Sequence, residues 1–508
     1  MTGAAAADPV AYWTAAAATT APAFPRLSGD LTVDVAVVGG GIVGITTARL
    51  LKDAGLTVAV IEARRVGREV TGKSTAKITT QHSLIYDRLI RRHGEHAARI
   101  YAEANAAAMA RIAALVADHG LRCDHEPADA LCYTRAADQV ESIEREVAAA
   151  QRLGLPASLT RDAGLPYPVA AAVRFTDQAQ FHPHAYVAGL AATLPGDGSH
   201  VLEDTRATDV HADHVVTPHG TVRARHVVMA THLPLGLTGG LFAEAFPTMH
   251  PVVAAPVDAP VAGGAMVITI DQPTHSLRTH RGPDGLHLVA VGGSYEPGDT
   301  AAQGEAFAAL EDYLRRSFGI DRIAWRWTNE DYTPADDLPY IGRSSAAADA
   351  VLVATGFRAW GITNGTAAAM LLTDLITGRD SAWAPVFDAR RIKPLAAGPK
   401  VVTENLKTGV ELVSGYLSRR GSDLDALAAG DGRVLSLDGH RVAAHRDAGG
   451  QLHLVSAVCP HMGCIVGWNP VDRTWDCPCH GSRFTVDGDI LHGPARQPLA
   501  PLPPDGDA

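Results

Sequence analysis

The chain has 508 residues and 46% apolar content, enough for two or three domain cores, and its net charge of -11 without a basic run argues against nucleic acid as a partner. No unbroken apolar run of about 18 residues occurs, so no transmembrane segment is expected. The alanine-rich start lacks the basic-then-apolar order of a signal peptide, which makes the cytoplasm the expected compartment.

Residues 1–30 form an N-terminal segment. Val33 to Val38 is a β-branched run leading into Gly39-Gly40-Gly41-Ile42-Val43-Gly44 and a helical pattern from Ile45 to Ala54; a second strand, Thr57 to Ile61, ends on Glu62. This is the dinucleotide fingerprint in its required context. The glycines let the turn close and the helix N-terminus approach a pyrophosphate, while the acid reaches a ribose. Ala63 and Arg64, next to the acid, are assigned to the same site. The fingerprint alone does not choose between NAD and FAD.

Residues 84–118 and 136–153 are alanine-rich with helical spacing and read as helices covering the sheet. Val215 to Thr217 and Arg225 to Ala230 read as strands of the nucleotide domain, with Ala207 as a further cofactor contact. Ser276 to His280 and Leu286 to Val291 read as a hairpin across Gly282 to Gly285, within a substrate-side sheet over 241–330. Cys123 and Cys132 read as buried structural thiols. Pro394 and Pro399, followed by a helical stretch from Asn405 to Leu417, mark 391–420 as a connector.

The C-terminal part carries Cys459-Pro-His461-Met-Gly-Cys464 and Cys477-Pro-Cys479-His480-Gly-Ser482. Cys459, His461, Cys477 and His480, in C-x-H and C-x-x-H pairs, suit a 2Fe-2S cluster of Rieske type, with thiolates on one iron and imidazoles on the other. A disulfide between Cys464 and Cys479 would tie the two ligand loops together. Structural zinc also takes two cysteines and two histidines. It gives the extra cysteine pair no role, and zinc-finger spacing separates the cysteine pair from the histidine pair.

With Gly493-Pro494-Ala495 as a covering loop, this region resembles the Rieske domains of cytochrome bc complexes and their soluble relatives. The resemblance implies that Ser482 donates a hydrogen bond to a bridging sulfide. Phe484 stands where high-potential members have a tyrosine, so one donor is missing. The potential is therefore expected below the top of the Rieske span of roughly −150 to +300 mV.

Thr71-Gly-Lys-Ser74-Thr75-Ala-Lys77, and Asp337 to Arg343 followed by Val351 to Thr363, resemble flavoproteins of the D-amino-acid oxidase and glycine oxidase superfamily, over about residues 30–390. Its nearest form is a bacterial subgroup with a C-terminal Rieske domain. The resemblance implies an α/β (α+β) chain: a Rossmann-like FAD-binding domain (31–83, 155–240, 331–390), a substrate-binding antiparallel sheet domain (84–154, 241–330) and an all-β Rieske domain (421–508). It implies FAD held also by Ser74, Thr75, Lys77, Gly356, Trp360, Gly361, Ile362 and Thr363, with a helix N-terminus stabilising the anionic reduced flavin. The Lys77 ammonium would stabilise negative charge on the flavin or its phosphates.

Two catalytic candidates follow. Arg278 would grip a substrate carboxylate bidentately, or is an exposed strand arginine. His82 would face the flavin or move a proton, or is a core histidine with a backbone partner. His182 and His232 read as structural turns. The expected function is oxidation of a small amine, amino acid or related substrate, with electrons passing from FAD through the cluster to an external acceptor, protein or quinone-like. The alternative is a module in which the cluster delivers electrons to the flavin for a reductive or monooxygenase-like reaction. A homo-oligomer is allowed. Removing residues from about 421 onward is expected to leave flavin reduction by substrate intact while abolishing turnover.

Overall fold

The computed structural model describes residues 11–16, 22–345, 349–391, 394–417 and 424–502. The rest of the expected N-terminal segment, parts of the connector and the C-terminal tail lie outside the described residues. The central strand Leu31–Val38 pairs in parallel with Val58–Ile61 on one side and Gly220–Met229 on the other. His200–Leu202 extends the sheet beyond Val58–Ile61, and Val351–Thr355 joins Gly220–Met229, so this Rossmann-like sheet gathers distant stretches of chain. Every residue of Val58–Ile61 and Val351–Thr355 is buried, which is why both read as continuous rather than alternating apolar runs. Helices Ile42–Asp53 and Gly361–Thr377 pack closely: a Cβ on Gly365 would lie 3.1 Å from Val43 Cγ2.

A second sheet runs in the order Trp325–Pro334, Ala245–Pro256, Gly285–Val291, Ser276–Gly282, Met266–Thr269, Ala130–Thr134, Ala171–Phe175, Ala157–Thr160. The expected hairpin is there, Gly282 pairing with Gly285. Ala157–Thr160 and Ala171–Phe175 fall in the stretch assigned to the FAD-binding part, yet they pair into this substrate-side sheet beside Ala130–Thr134. A strand's own residues do not say which sheet it joins. The N-terminal helix Tyr12–Ala16 buries Tyr12 and Trp13 against the same sheet, and Trp13 Nε1 donates to Ser74 O at 2.7 Å.

Among the described residues one helix, Tyr86–Asp118, is long and apolar enough to cross a membrane. It is a core helix: it buries Tyr101, Ala104, Asn105 and Ala108, and Asn105 Nδ2 donates to Asn364 Oδ1 of Gly361–Thr377. The connector helix starts at Pro394 rather than Asn405, because proline costs nothing at the first helical position. Asn405 Nδ2 donates to Ala243 O at 2.9 Å, which docks this helix on the flavoprotein part.

The C-terminal part holds two antiparallel sheets, Gly432–Leu437 with His440–Arg446 and Leu452–Ser456, and Gly467–Asn469 with Thr474–Asp476, Arg483–Phe484 and Ile490–His492. Trp468, Trp475 and Phe484 fill its core. It is docked on the flavoprotein part through a seam of direct polar and backbone contacts. Asp472 accepts from Thr328 N at 3.0 Å, Thr328 Oγ1 at 2.6 Å and Arg483 Nη2 at 2.8 Å, and Lys73 Nζ stands 3.4 Å away. A Cβ on Gly467 would sit 2.0 Å from Gly298 O, so the two backbones touch there.

Candidate functional site

Between the Rossmann-like sheet and its helices lies a cleft with 1350 Å³ of space, part of it open to solvent. Gly39 has φ 109°, and a Cβ there would meet Ala230 O at 2.5 Å; a Cβ on Gly44 would meet Gly39 O at 1.9 Å. The turn and the helix–strand contact both require glycine. Glu62 accepts from Gly40 N at 2.7 Å and from Arg64 N at 2.8 Å, which fixes its carboxylate at the cleft edge. Helices Ile42–Asp53 and Gly361–Thr377 both begin at the cleft with no cap from their own N-cap residues; Ile42 N donates to Thr71 Oγ1 at 3.1 Å, and the dipole ends face the site of an anionic dinucleotide. These features fit FAD.

Of the residues assigned to FAD from the sequence, Gly39, Gly41, Ile42, Val43, Glu62, Ala63, Ser74, Ala207, Gly361 and Ile362 line the cleft. Gly44, Arg64, Thr75, Lys77, Gly356, Trp360 and Thr363 stand behind or beside it. Arg64 is replaced by its neighbour Arg65, which lines the cleft and pairs with Glu203 at 2.6 Å. Gly356, at φ 76°, packs on Pro334 and Tyr340. Thr363 Oγ1 donates to Thr79 O, and Trp360 stacks on His82 with ring centroids 4.7 Å apart.

The catalytic candidates are employed structurally. Lys77 Nζ donates to Val267 O at 2.9 Å and Ser276 Oγ at 2.7 Å, facing the substrate-side sheet instead of the cleft; burial, then the nearby Arg278, pulls its pKa down to about 7. Arg278 is neither exposed nor lining the cleft. Its Nη1 donates to the carbonyls of Thr75, Ala76 and Phe181, its guanidinium lies 5.1 Å from the Trp13 ring, and burial lowers its pKa to about 10. His82 uses both ring nitrogens, on Tyr101 Oη and on Thr79 O and Thr363 Oγ1, and burial pushes its pKa down to about 3. His182 caps the helix Pro183–Ala192, accepting from Ala185 N.

Cys464 and Cys479 form a disulfide that joins two similar loops. In one, Gly463 N donates to Cys459 O; in the other, Gly481 N donates to Cys477 O. Cys459 and Cys477 are free and buried, and His480 Nδ1 is buried without a hydrogen-bond partner. An orphaned imidazole nitrogen beside two buried thiols fits a cluster. Ser482 Oγ accepts from Ala495 N at 3.1 Å, leaving its own proton to donate. The two imidazoles meet the flavoprotein part: His461 Nε2 donates to Gly236 O at 3.3 Å, and Phe242 packs edge-on against His461 and His480. Tyr332 Oη donates to His480 O at 2.9 Å.

Sequence inspection missed the seam. Asn329, Glu330 and Asp331 from the substrate-side sheet, His232 from a turn, and Leu491, His492 and Gly493 from the C-terminal part all line the same cleft. His232, at φ 69°, is a turn residue as expected, but also part of this wall.

Residues 34–375 match the family model FAD dependent oxidoreductase, and 420–503 match that of the Rieske 2Fe-2S domain. The chain is 35% identical over 496 residues, 97% of each chain, to a Bacillus subtilis (strain 168) protein provisionally named Rieske 2Fe-2S iron-sulfur protein YhfW. Two solved structures share the flavoprotein fold. Glycine oxidase from Geobacillus kaustophilus has a TM-score of 0.56 at 18% identity, covering 72% of this chain and 100% of that one. L-proline dehydrogenase from P. horikoshii has a TM-score of 0.56 at 22% identity, covering 72% and 98%.

Proposed function

The chain belongs to the FAD dependent oxidoreductases and carries a Rieske domain, with FAD and a 2Fe-2S cluster as cofactors, and we propose that it is a dehydrogenase of a small amine or amino acid whose electrons leave through the cluster to an external acceptor. When bound, FAD supplies a two-electron acceptor for the carbon next to nitrogen, and the cluster a one-electron carrier.

The observation that carries this is a single loop serving both sites. Thr231, His232 and Leu235 line the FAD cleft, while Gly236 and Phe242, a few residues on, touch the imidazoles of His461 and His480. The seam holds that loop and the cluster loops in register through direct contacts. Fold likeness to glycine oxidase and L-proline dehydrogenase supports an amine or amino acid as the substrate class.

The test is an anaerobic screen of amines and amino acids, read by flavin and cluster absorbance, followed by turnover with a one-electron acceptor. A substrate should bleach both chromophores in the whole chain. Iron-depleted chain should still lose flavin colour yet turn over far more slowly. Equal turnover without iron overturns the conduit, and bleaching only by an external reductant favours the opposite direction of flow. Truncation near residue 421 is a poor version of this test: Leu491, His492 and Gly493 wall the cleft, so the shortened chain is expected to lose FAD as well.

A further inference from the structure

Glu330 lies on the strand Trp325–Pro334, where alternate residues Thr328, Glu330 and Tyr332 meet the C-terminal part. Its carboxyl is buried and lines the FAD cleft, and neither oxygen has a hydrogen-bond partner. His492 Nε2 stands 3.1 Å from Oε2, in contact but out of hydrogen-bond alignment. A Cβ on Gly481 would fall 1.9 Å from Oε1, so the carboxyl is pressed against a glycine of the cluster loop. Next to it, the Asn329 side-chain oxygen is a second buried acceptor without a donor. Two unpartnered acceptors in one cavity wall call for a donor-rich ligand, since a buried carboxyl left unmatched is costly.

The charges around this wall are otherwise spoken for. Lys73 is shared by Glu69 and Asp472, and Arg483 by Asp472 and Asp476. Of the arginines lining the cleft, Arg65 pairs with Glu203, and Arg206 donates to Ile490 O. Arg278 lies away from the cleft, with Nη1 on three main-chain carbonyls and Nε and Nη2 buried without a partner. Asp331, the other acid in this wall, lies beside Glu330, and its pKa is raised to about 7 by burial. Burial also lowers the pKa values of the His232 and His492 imidazoles and raises that of the Glu330 carboxyl, which favours its protonated form until a cation arrives.

We propose that Glu330, with Asn329 as second acceptor and His492 of the Rieske domain closing the pocket, binds the ammonium group of a cationic amine substrate. This rests on the dehydrogenase reading and narrows its substrate class from amino acids to amines whose reacting end carries no carboxylate. Binding balances by proton displacement: the ammonium takes the place of the proton on Glu330, and one proton leaves to solvent per cation bound.

The test uses holoprotein and two probes of similar shape and opposite charge, tert-butylammonium and pivalate. Tert-butylammonium has no hydrogen on the carbon next to nitrogen, so it binds without being oxidised. Flavin difference spectra and calorimetry should show the cation binding, pivalate not, and a heat that varies with buffer ionisation enthalpy as proton release requires. Glu330→Gln should weaken the cation roughly 10- to 100-fold. Should Glu330→Gln fail to retain FAD or iron, the probe pair on unaltered protein decides alone. Binding of pivalate as tight as the cation, binding of neither, or an unchanged Glu330→Gln overturns the proposal. So does a third metal equivalent beyond two irons, because His232, Glu330 and His492 would then be metal ligands. If the cation binds but no amine bleaches the flavin, the dehydrogenase reading falls and the site stands. If amino acids bleach the flavin and pivalate binds, the site falls and the dehydrogenase stands.

Discussion

Two regions of the molecule bury polar side chains in opposite ways. In the core behind the cleft, Lys77 and His82 have ordinary hydrogen-bond partners at every functional nitrogen, and Arg278 has three through Nη1 but none at Nε and Nη2. Along the seam, His480 Nδ1, His232 Nδ1, His492 Nδ1 and both oxygens of Glu330 have none. Buried polar groups are almost always paired, so Lys77 and His82 are explained by folding alone, while each unpaired atom needs a reason of its own.

The largest effect should come from breaking the seam itself. Asp472→Ala removes the acceptor shared by Thr328, Arg483 and Lys73, leaving the buried Arg483 and the half-buried Lys73 each short of a partner, and should cost roughly 3–5 kcal/mol of stability. Urea denaturation followed by tryptophan fluorescence measures it, with FAD release recorded in parallel. A loss below about 1 kcal/mol would place this pair among weakly coupled surface ions and make the Rieske part a separable head.

The same contrast explains what was legible. The glycine turn with Glu62 and the two cluster loops are local: their chemistry is set by residues within one turn or one hairpin, so spacing alone exposes them. Strands Ala157–Thr160 and Ala171–Phe175 were misplaced because sheet membership is a long-range fact. The seam draws on residues as far apart as Lys73, His232, Glu330, Asp472 and His492, and no spacing links them. Arg278 and His82 attracted attention by sitting near motifs, but their partners are main-chain carbonyls and hydroxyls, contacts that leave no pattern in sequence. Arg64 pairs with Glu69 and Arg65 with Glu203, partners that two adjacent arginines in a sequence do not reveal.

Lys77 sharpens the comparison through pH. Its folded pKa is about 7 against 10.5 for an ordinary lysine, so between those values the unfolded chain holds a proton that the folded one does not. Stability therefore rises with pH across that window, and the burden of burying the ammonium is greatest at and below about pH 7. Relative to Lys77→Met, the unaltered chain should gain stability steadily from neutral pH towards 10. Denaturation curves of both proteins across that range test this, and parallel curves would mean Lys77 keeps its proton, with Val267 O and Ser276 Oγ sufficient to hold a charge.

The smallest expected stability change has the most specific readout. Tyr332 belongs to the flavoprotein sheet, yet its hydroxyl donates to the carbonyl of His480, a residue that would hold the cluster. Tyr332→Phe keeps the ring, its edge-on contact with His232 at 4.6 Å and its burial, and removes one hydrogen bond worth about 1 kcal/mol. A bond that merely fastens two parts together would change the denaturation midpoint and nothing else. If it also orients the His480 main chain, the paramagnetic resonance line positions and the midpoint potential of the cluster should move, while the flavin spectrum stays as it was. Unchanged cluster spectra with the expected loss of stability would assign Tyr332 to fastening alone, and leave the His461 and His480 contacts with Gly236 and Phe242, and that of Glu330 with Gly481, to couple the two sites.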